Sequence, residues 1–403
     1  MGLVLAHVSD LHVSEFGDTF HDHRRLVKRS ANVFANDPAK FEVLWEEAGW
    51  RVFHERGKRR GKINLVDPAG YSHPIPSVKD GGGLVDPVER AAARACHLEA
   101  RRAPVLARDV PSVGALNHLY ENTPRNSNLR LLRAALAIEE AGADAVVITG
   151  DITDDGVGYE IVEAAFRRWK DKGRLFAIPG NHDLYLFPLR GTNRPKPTHA
   201  SKREAWKAFA ERIGLSLHES GAWWRRIPES DVVLVGLDSC ARPQRRFYRH
   251  NGGIGPEQLA WLRELGKNPE FQSARHKLAL LHHHVVPLPL GVGKKAPSEV
   301  GMRLDDARSA AEAFDEVGIT AVLHGHRHVS EQRQPAGSNF TILASPSLTL
   351  GCRSGDDPSF WRIELAERMH ASRVRIPVSG IVQDDDPSEN VVSAIADAVE
   401  DEC

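Results

Sequence analysis

Short apolar runs that end in polar clusters dominate this chain. The runs are Leu3–Val8, Ala145–Thr149, Leu175–Ile178, Val232–Leu237, Leu278–Leu281, Thr320–Leu323 and Phe340–Leu343. Runs of this length, rich in Val, Ile and Leu and bounded by Gly, Asp or Pro, read as buried strands. Helical patterns lie between them. Leu129, Leu132 and Leu136 keep the spacing of one buried face, with Gly142 placed to stop that helix. Ile161, Val162, Ala165, Phe166 and Trp169 form a second stripe that ends near Gly173. Pro256 suits a first helical turn, and Leu259, Leu262 and Leu265 follow before Gly266. Strand alternating with helix predicts an α/β fold. The strand-rich stretch from Thr320 to about Glu364 adds a mixed or second sheet.

Two segments break the rhythm. Residues 14–125 hold 18 Lys and Arg against 15 Asp and Glu, with Pro and Gly clusters and no βα alternation. Trp50–Glu55, Lys62–Val66 and Tyr71–Ile75 suit a small meander. Phe41, Trp45, Trp50 and Phe53 supply core material, so we read 14–125 as an inserted cap or lid; a partly disordered insertion is the alternative. Residues 381–403 form an acidic tail, in which Asp384–Glu402 carries no basic residue. The remainder, 1–13 and 126–380, is then one discontinuous catalytic unit.

Composition removes several classes. The net charge is −1, so bulk electrostatics gives no route to nucleic acid or anionic membrane. No stretch approaches the roughly 20 apolar residues of a spanning helix. The first residues lack the pattern of a secretory signal. Cys96, Cys240, Cys352 and Cys403 lie far apart without a CxxC pair, which suits free thiols in a cytoplasmic protein.

The chain has 20 histidines, and seven of them fall in five clusters at predicted strand ends. The clusters are Asp10-Leu11-His12, Gly150-Asp151-Ile152-Thr153-Asp154-Asp155-Gly156, Gly180-Asn181-His182-Asp183, His282-His283-His284 and Gly325-His326-Arg327-His328. In open α/β sheets, loops at the carboxyl ends of strands converge on one crevice. One such cluster is weak evidence, since a lone buried histidine is usually a satisfied core residue. Five together, all of oxygen and nitrogen donors, point to a metal site for Mn, Fe or Zn without thiolates.

In this order the five clusters resemble those of the calcineurin-like metallophosphoesterases. The likeness covers residues 1–13 and about 126–370. Gly252-Gly253, Gln258-Leu259-Ala260-Trp261-Leu262 and Ser345-Pro346-Ser347 make the chain most similar to class III cyclic-nucleotide phosphodiesterases and glycerophosphodiesterases. The resemblance implies a four-layer αββα sandwich, here with a large insertion, and two divalent or trivalent ions. It implies that Asp10, His12 and His328 hold one ion, that Asp151 bridges, and that Asn181, His326 and one histidine of the triplet hold the other. His282 directly follows the strand and is the expected ligand, with His283 the fallback. His182 would protonate the leaving group, oriented by Asp154.

The sequence departs from the family in two places. The first two clusters sit at residues 12 and 151, where relatives have a few tens of residues between them. Asp154 also stands where purple acid phosphatases place a metal-binding tyrosine, which argues against that subfamily. The implied chemistry is attack on phosphorus by a hydroxide bridging two ions about 3.5–4 Å apart. The expected substrate is a small phosphodiester such as a cyclic nucleotide, gripped by Arg246 and Arg249 of an Arg-rich loop; a solvated basic loop is an equal reading. A nuclease, with Arg51–Lys62 as its footprint, and a phosphomonoesterase are the alternatives, and self-association stays open. No membrane partner is expected.

Overall fold

The computed structural model describes residues 2–13, 41–55, 64–66, 72–73, 127–154, 156–186, 198–241, 251–286, 302–350 and 358–376, together with Val88, Ala91, Ala92 and Ala95. In chain order the strands are β1 (Leu3–Val8), β2 (Phe41–Glu47), β3 (Trp50–Glu55), β4 (Asn64–Val66), β5 (Ser72–His73), β6 (Ala145–Thr149), β7 (Leu175–Ile178) and β8 (Trp223–Arg226). They continue with β9 (Val232–Gly236), β10 (His276–Leu280), β11 (Ala321–His324), β12 (Glu331–Arg333), β13 (Thr341–Ala344), β14 (Ser359–Leu365) and β15 (Met369–Arg375). A five-stranded sheet has the order β15-β14-β1-β6-β7, and a six-stranded sheet the order β12-β13-β11-β10-β9-β8.

Each apolar run becomes a strand, and the central strands β1, β6 and β7 are parallel in one sheet, as are β9, β10, β11 and β13 in the other. Alternation along the six-stranded sheet sorts side chains onto two faces. Leu234, Leu278, Leu280, Leu323 and Leu343 pack inward in one core with β1, β6 and β7. Val233, Val235, Ala279, Leu281, Val322 and Ile342 face outward to a second core. Leu259, Leu262 and Leu265 of helix Pro256–Leu265, with Ala310, Ala313 and Phe314 of helix Ala307–Val317, complete it. Helices Ser127–Glu140, Tyr159–Ala165 and His199–Arg212 contribute Leu132, Ile138, Ile161, Val162, Trp206 and Phe209 to the first core. The fold is α/β with two packed sheets between helical layers. Each fully buried Leu, Ile or Phe in it stabilises by about 1.5–3 kcal/mol.

Two tryptophans tie the sheets together. Trp361 Nε1 of β14 donates to Ala344 O of β13 at 2.8 Å, and Trp223 Nε1 of β8 donates to Ala177 O of β7 at 3.1 Å. One expected helix is interrupted: Tyr159–Ala165 stops at Phe166 (φ −104°, ψ 21°), and Arg167–Lys170 follows. The break lets Trp169 bury its ring while its Nε1 donates to Ala143 O at 2.9 Å.

Within 14–125, β2 to β5 form an antiparallel meander in sequence order. Its strands β3, β4 and β5 fall within the three stretches read from the sequence, whose residues 62, 63, 71, 74 and 75 lie outside the described residues, and it adds Phe41–Glu47 in front. Trp50, Val52, Leu65, Ala91 and Ala95 make a core of their own. The acidic tail lies outside the described residues. Among those described, no helix is long and apolar enough to cross a membrane.

Candidate metal centre

The five clusters leave the carboxyl ends of β1, β6, β7, β10 and β11, so both sheets aim them at one end of the molecule. The backbone there is bent sharply. Asp10, His12, Asp151, His326 and His328 have φ between 46° and 71°, and they are five of the seven non-glycine residues with positive φ among those described. Left-handed backbone costs an L-residue roughly 1–2 kcal/mol, so these conformations persist only where surrounding bonds hold them. Those bonds are present. Asp10 N donates to Gly150 O and His12 N to Asp151 O, each at 3.0 Å. Ser347 Oγ donates to Asp10 O at 2.6 Å, and Thr349 Oγ1 to Leu11 O at 2.8 Å. His326 N donates to Asp10 Oδ2 at 2.9 Å, joining one sheet's loop to the other's. Gly325 allows this approach, because a Cβ there would overlap Ser9 Oγ and Asp10 Oδ2.

The donor atoms converge in two groups. In the first, His328 Nε2 lies 3.3 Å from Asp10 Oδ1 and 3.2 Å from His12 Nε2, and His12 Nε2 lies 3.9 Å from Asp10 Oδ1. In the second, His282 Nε2 lies 3.3 Å from Asp151 Oδ1, 2.9 Å from Asn181 Oδ1 and 3.1 Å from His326 Nδ1. Ligands about 2.0–2.2 Å from a common ion sit roughly 3–4 Å from one another. His12, Asp151 and His182 form a third group that links the first two.

The electrostatics calls for positive charge. Burial works against ionisation of Asp151, but His282 and His182 outweigh it and hold its carboxyl well below the usual range. Burial likewise disfavours protonated imidazole at His12 and His282. Asp154 raises His12 to about 9, and Asp151 raises His282 to about 9. Carboxylates that hold neighbouring imidazoles protonated would favour cations in place of those protons. Donor spacing, donor type and charge therefore fit a pair of metal ions.

The three histidines of the triplet part company. His282 enters the second group, and its Nδ1 pairs with Thr149 O at 2.9 Å. His283 places Nδ1 2.8 Å from Ser239 Oγ. His284 packs on His324, with ring centroids 4.2 Å apart, on neither group. Asp154 Oδ1 lies 3.0 Å from both His182 Nδ1 and His12 Nδ1, so it serves two rings rather than His182 alone. Arg246 and Arg249 lie outside the described residues.

Sequence reasoning assigned no role to Asp183, although the residue ends its third cluster. Its buried carboxylate accepts from Gly180 N, Ile152 N, Thr153 N, Thr153 Oγ1 and Tyr159 OH at 2.8–3.2 Å. It thereby clamps the loop of Asp151 to the loop of Asn181. A charge placed two residues from a candidate ligand, in a loop rich in free N–H groups, was the available signal.

The chain is similar to several known proteins. A probable glycerophosphodiester phosphodiesterase, GpdQ, of Arcobacter nitrofigilis is 26% identical over 185 residues, 46% of this chain and 57% of that protein. The 3',5'-cyclic adenosine monophosphate phosphodiesterase CpdA of Haemophilus influenzae is 24% identical over 212 residues, 51% of this chain and 62% of that protein. The chain thus spans less than two thirds of each relative. Among solved structures, a dimetal phosphatase from Danio rerio is similar over 62% of this chain and 86% of that one, at 16% identity and a TM-score of 0.44. The sequence profile described as Calcineurin-like phosphoesterase matches residues 117–330, just over half of the chain. On that match, the chain belongs to the calcineurin-like phosphoesterase family.

Proposed function

We propose that this protein is a two-metal phosphoesterase that cleaves a small phosphodiester such as a cyclic nucleotide. The observation that carries the reading is the pair of donor groups linked through Asp151 and His12. In this reading Asp10, His12 and His328 hold one ion, Asn181, His282 and His326 hold the other, and Asp151 is shared. Mn, Fe or Zn suits such oxygen and nitrogen donors. Bound there, the ions would supply Lewis acidity to phosphoryl oxygens and acidify a water.

The chain's own residues do the rest. The alkoxide leaving a diester needs a proton, and His182 is the group to give it. Its backbone N–H donates to Asp151 Oδ1 at 2.8 Å, which fixes where the residue stands. Asp154 beside Nδ1 leaves the opposite ring nitrogen for the substrate. Asp154 also orients His12 as a ligand.

Both relatives are named as phosphodiesterases, which supports diesters over monoesters. The test is a hydrolysis panel with Mn²⁺, using bis-p-nitrophenyl phosphate, p-nitrophenyl phosphate, cyclic nucleotides and linear DNA. The diester and cyclic nucleotide are expected to turn over fastest, with two ions per chain. Turnover of DNA alone, or one ion per active chain, would overturn the reading.

We also propose that 14–125 is an inserted cap that selects substrate, since its meander has a core of its own. Replacing it with a short linker should leave a folded, metal-binding protein with altered preference across the panel. Unchanged relative rates would decide against a cap.

A further inference from the structure

Asn181 and His182 stand on a single helical turn, Asn181–Leu184. A helix this short closes one bond of its own, Tyr185 N to Asn181 O at 2.7 Å, and the carbonyls that follow need donors from outside. Those donors come from the first turn of helix His199–Arg212, an element outside all five clusters. Lys202 Nζ donates to His182 O at 2.6 Å and to Tyr185 O at 2.9 Å. His199 Nδ1 lies 3.2 Å from Leu184 O.

We propose that Lys202 is a positioning residue for His182, a role that rests on the reading of His182 as the proton donor. The peptide groups flanking His182 are gripped from opposite sides. In front, its N–H meets Asp151 Oδ1 at 2.8 Å; behind, its carbonyl meets the Lys202 ammonium. Lys202 is 3% exposed, and burying an ammonium is expensive unless its charge is put to use. Packing alone would be met by a methionine of similar length. Two carbonyls at the end of a helical turn call for a cation. The lysine stem also runs against Gly156, where a Cβ would come within 3.1 Å of Lys202 Cγ. One side chain thus touches the loop of Asp151 and Asp154 as well as the turn of Asn181 and His182. The next residue extends the contact, as Arg203 Nη1 donates to Asp238 Oδ2 at 2.8 Å beyond the end of β9.

The test compares wild type, Lys202→Met and Lys202→Arg. The first readout needs no metal. Amide exchange in 181–186 of the metal-free protein should quicken in Lys202→Met, while the strand 145–149 keeps its protection. The second readout is kinetic. In Lys202→Met, kcat should fall about 10- to 100-fold on a cyclic nucleotide, whose alkoxide needs a proton, through misplacement of the donor. KM should hold, bis-p-nitrophenyl phosphate should lose much less, and Lys202→Arg should recover part of the loss.

Wild-type exchange in 181–186, equal losses on the two esters, or a loss confined to KM would each overturn the proposal. If Lys202→Met fails to fold, Lys202→Arg decides. It keeps the charge but presents a planar fork to the two carbonyls. A smaller loss with the same leaving-group dependence supports the role, and wild-type behaviour overturns it. If wild type cleaves neither ester, or His182→Ala changes nothing, the reading of His182 fails instead. The exchange data then decide whether Lys202 holds the turn.

Discussion

The five-stranded sheet delivers Asp10, Asp151, Asp154 and Asn181 to the centre, with His12 and His182. The six-stranded sheet delivers only imidazoles, His282, His326 and His328. The two contributions are unequal in charge. On the first side, Asp10 and Asp151 are close enough that each raises the cost of ionising the other. The second side supplies the remedy, since His328 lowers Asp10 and His282 lowers Asp151 against the pull of burial. The groups around His328 and His282 each draw donors from both sheets. The centre is therefore a product of sheet docking, and ions bound there should stabilise the docked state.

The largest expected effect comes from the residue at the junction. Asp151→Asn keeps the shape and removes the charge that, in the proposed reading, both ions share. Turnover should vanish and bound metal should fall together, as elemental analysis of the purified variant would show. Retention of two ions by that variant would separate the two halves that we describe as joined.

His182→Ala should cut turnover about 10²- to 10⁴-fold while leaving metal content intact. The loss should shrink for p-nitrophenyl esters, whose leaving group needs no proton. Equal losses on p-nitrophenyl and alkyl esters would remove the acid role.

Metal itself gives the third test. A ligand that binds only the folded state at a thousand times its Kd stabilises by about 4 kcal/mol. Thermal melts of wild type should therefore shift upward with Mn²⁺ and downward with chelator, and Asp151→Asn should respond weakly. A melt indifferent to metal would mean that the sheets dock without help from the centre.

The smallest effect tests docking away from the centre. Trp361→Phe keeps an aromatic side chain but shrinks the buried indole and removes the N–H that reaches Ala344 O, a combined loss of about 1–3 kcal/mol. Chemical denaturation should detect it, with turnover unchanged.

The parallel strands were legible because a strand buried on both faces must be apolar throughout, and Leu3–Val8, Ala145–Thr149 and Leu175–Ile178 match to the residue. The antiparallel strands β8, β12 and β15 carry no such mark. Trp223-Trp224-Arg225-Arg226 and Glu331-Gln332-Arg333 are half-exposed, so pairing with a neighbour decides their state rather than composition. Helix His199–Arg212 escaped for a similar reason: Trp206, Phe209 and Ala210 are its few buried apolar residues amid many charges. At the centre, the donors were legible from residue type and from their place at strand ends. The holding roles of Asp183, Ser347, Thr349 and Lys202 were harder to read, because these side chains act largely on backbone groups, whose positions residue type does not give.

The left-handed backbone at Asp10, His12, Asp151, His326 and His328 also bears on how such a chain can change by descent. Beyond glycine, Asn, Asp and His are the residues most at ease in that region, and Asp and His are also the candidate metal donors here. Substitutions to Ala, Val or Leu at these five positions would strain the loops as well as delete a donor. Drift to Asn or Gly would delete or weaken the donor while the loop kept its course. A descendant that abandoned the chemistry would be expected to carry Asn and Gly there, preserving the outline of the site in a folded protein that no longer turns over substrate.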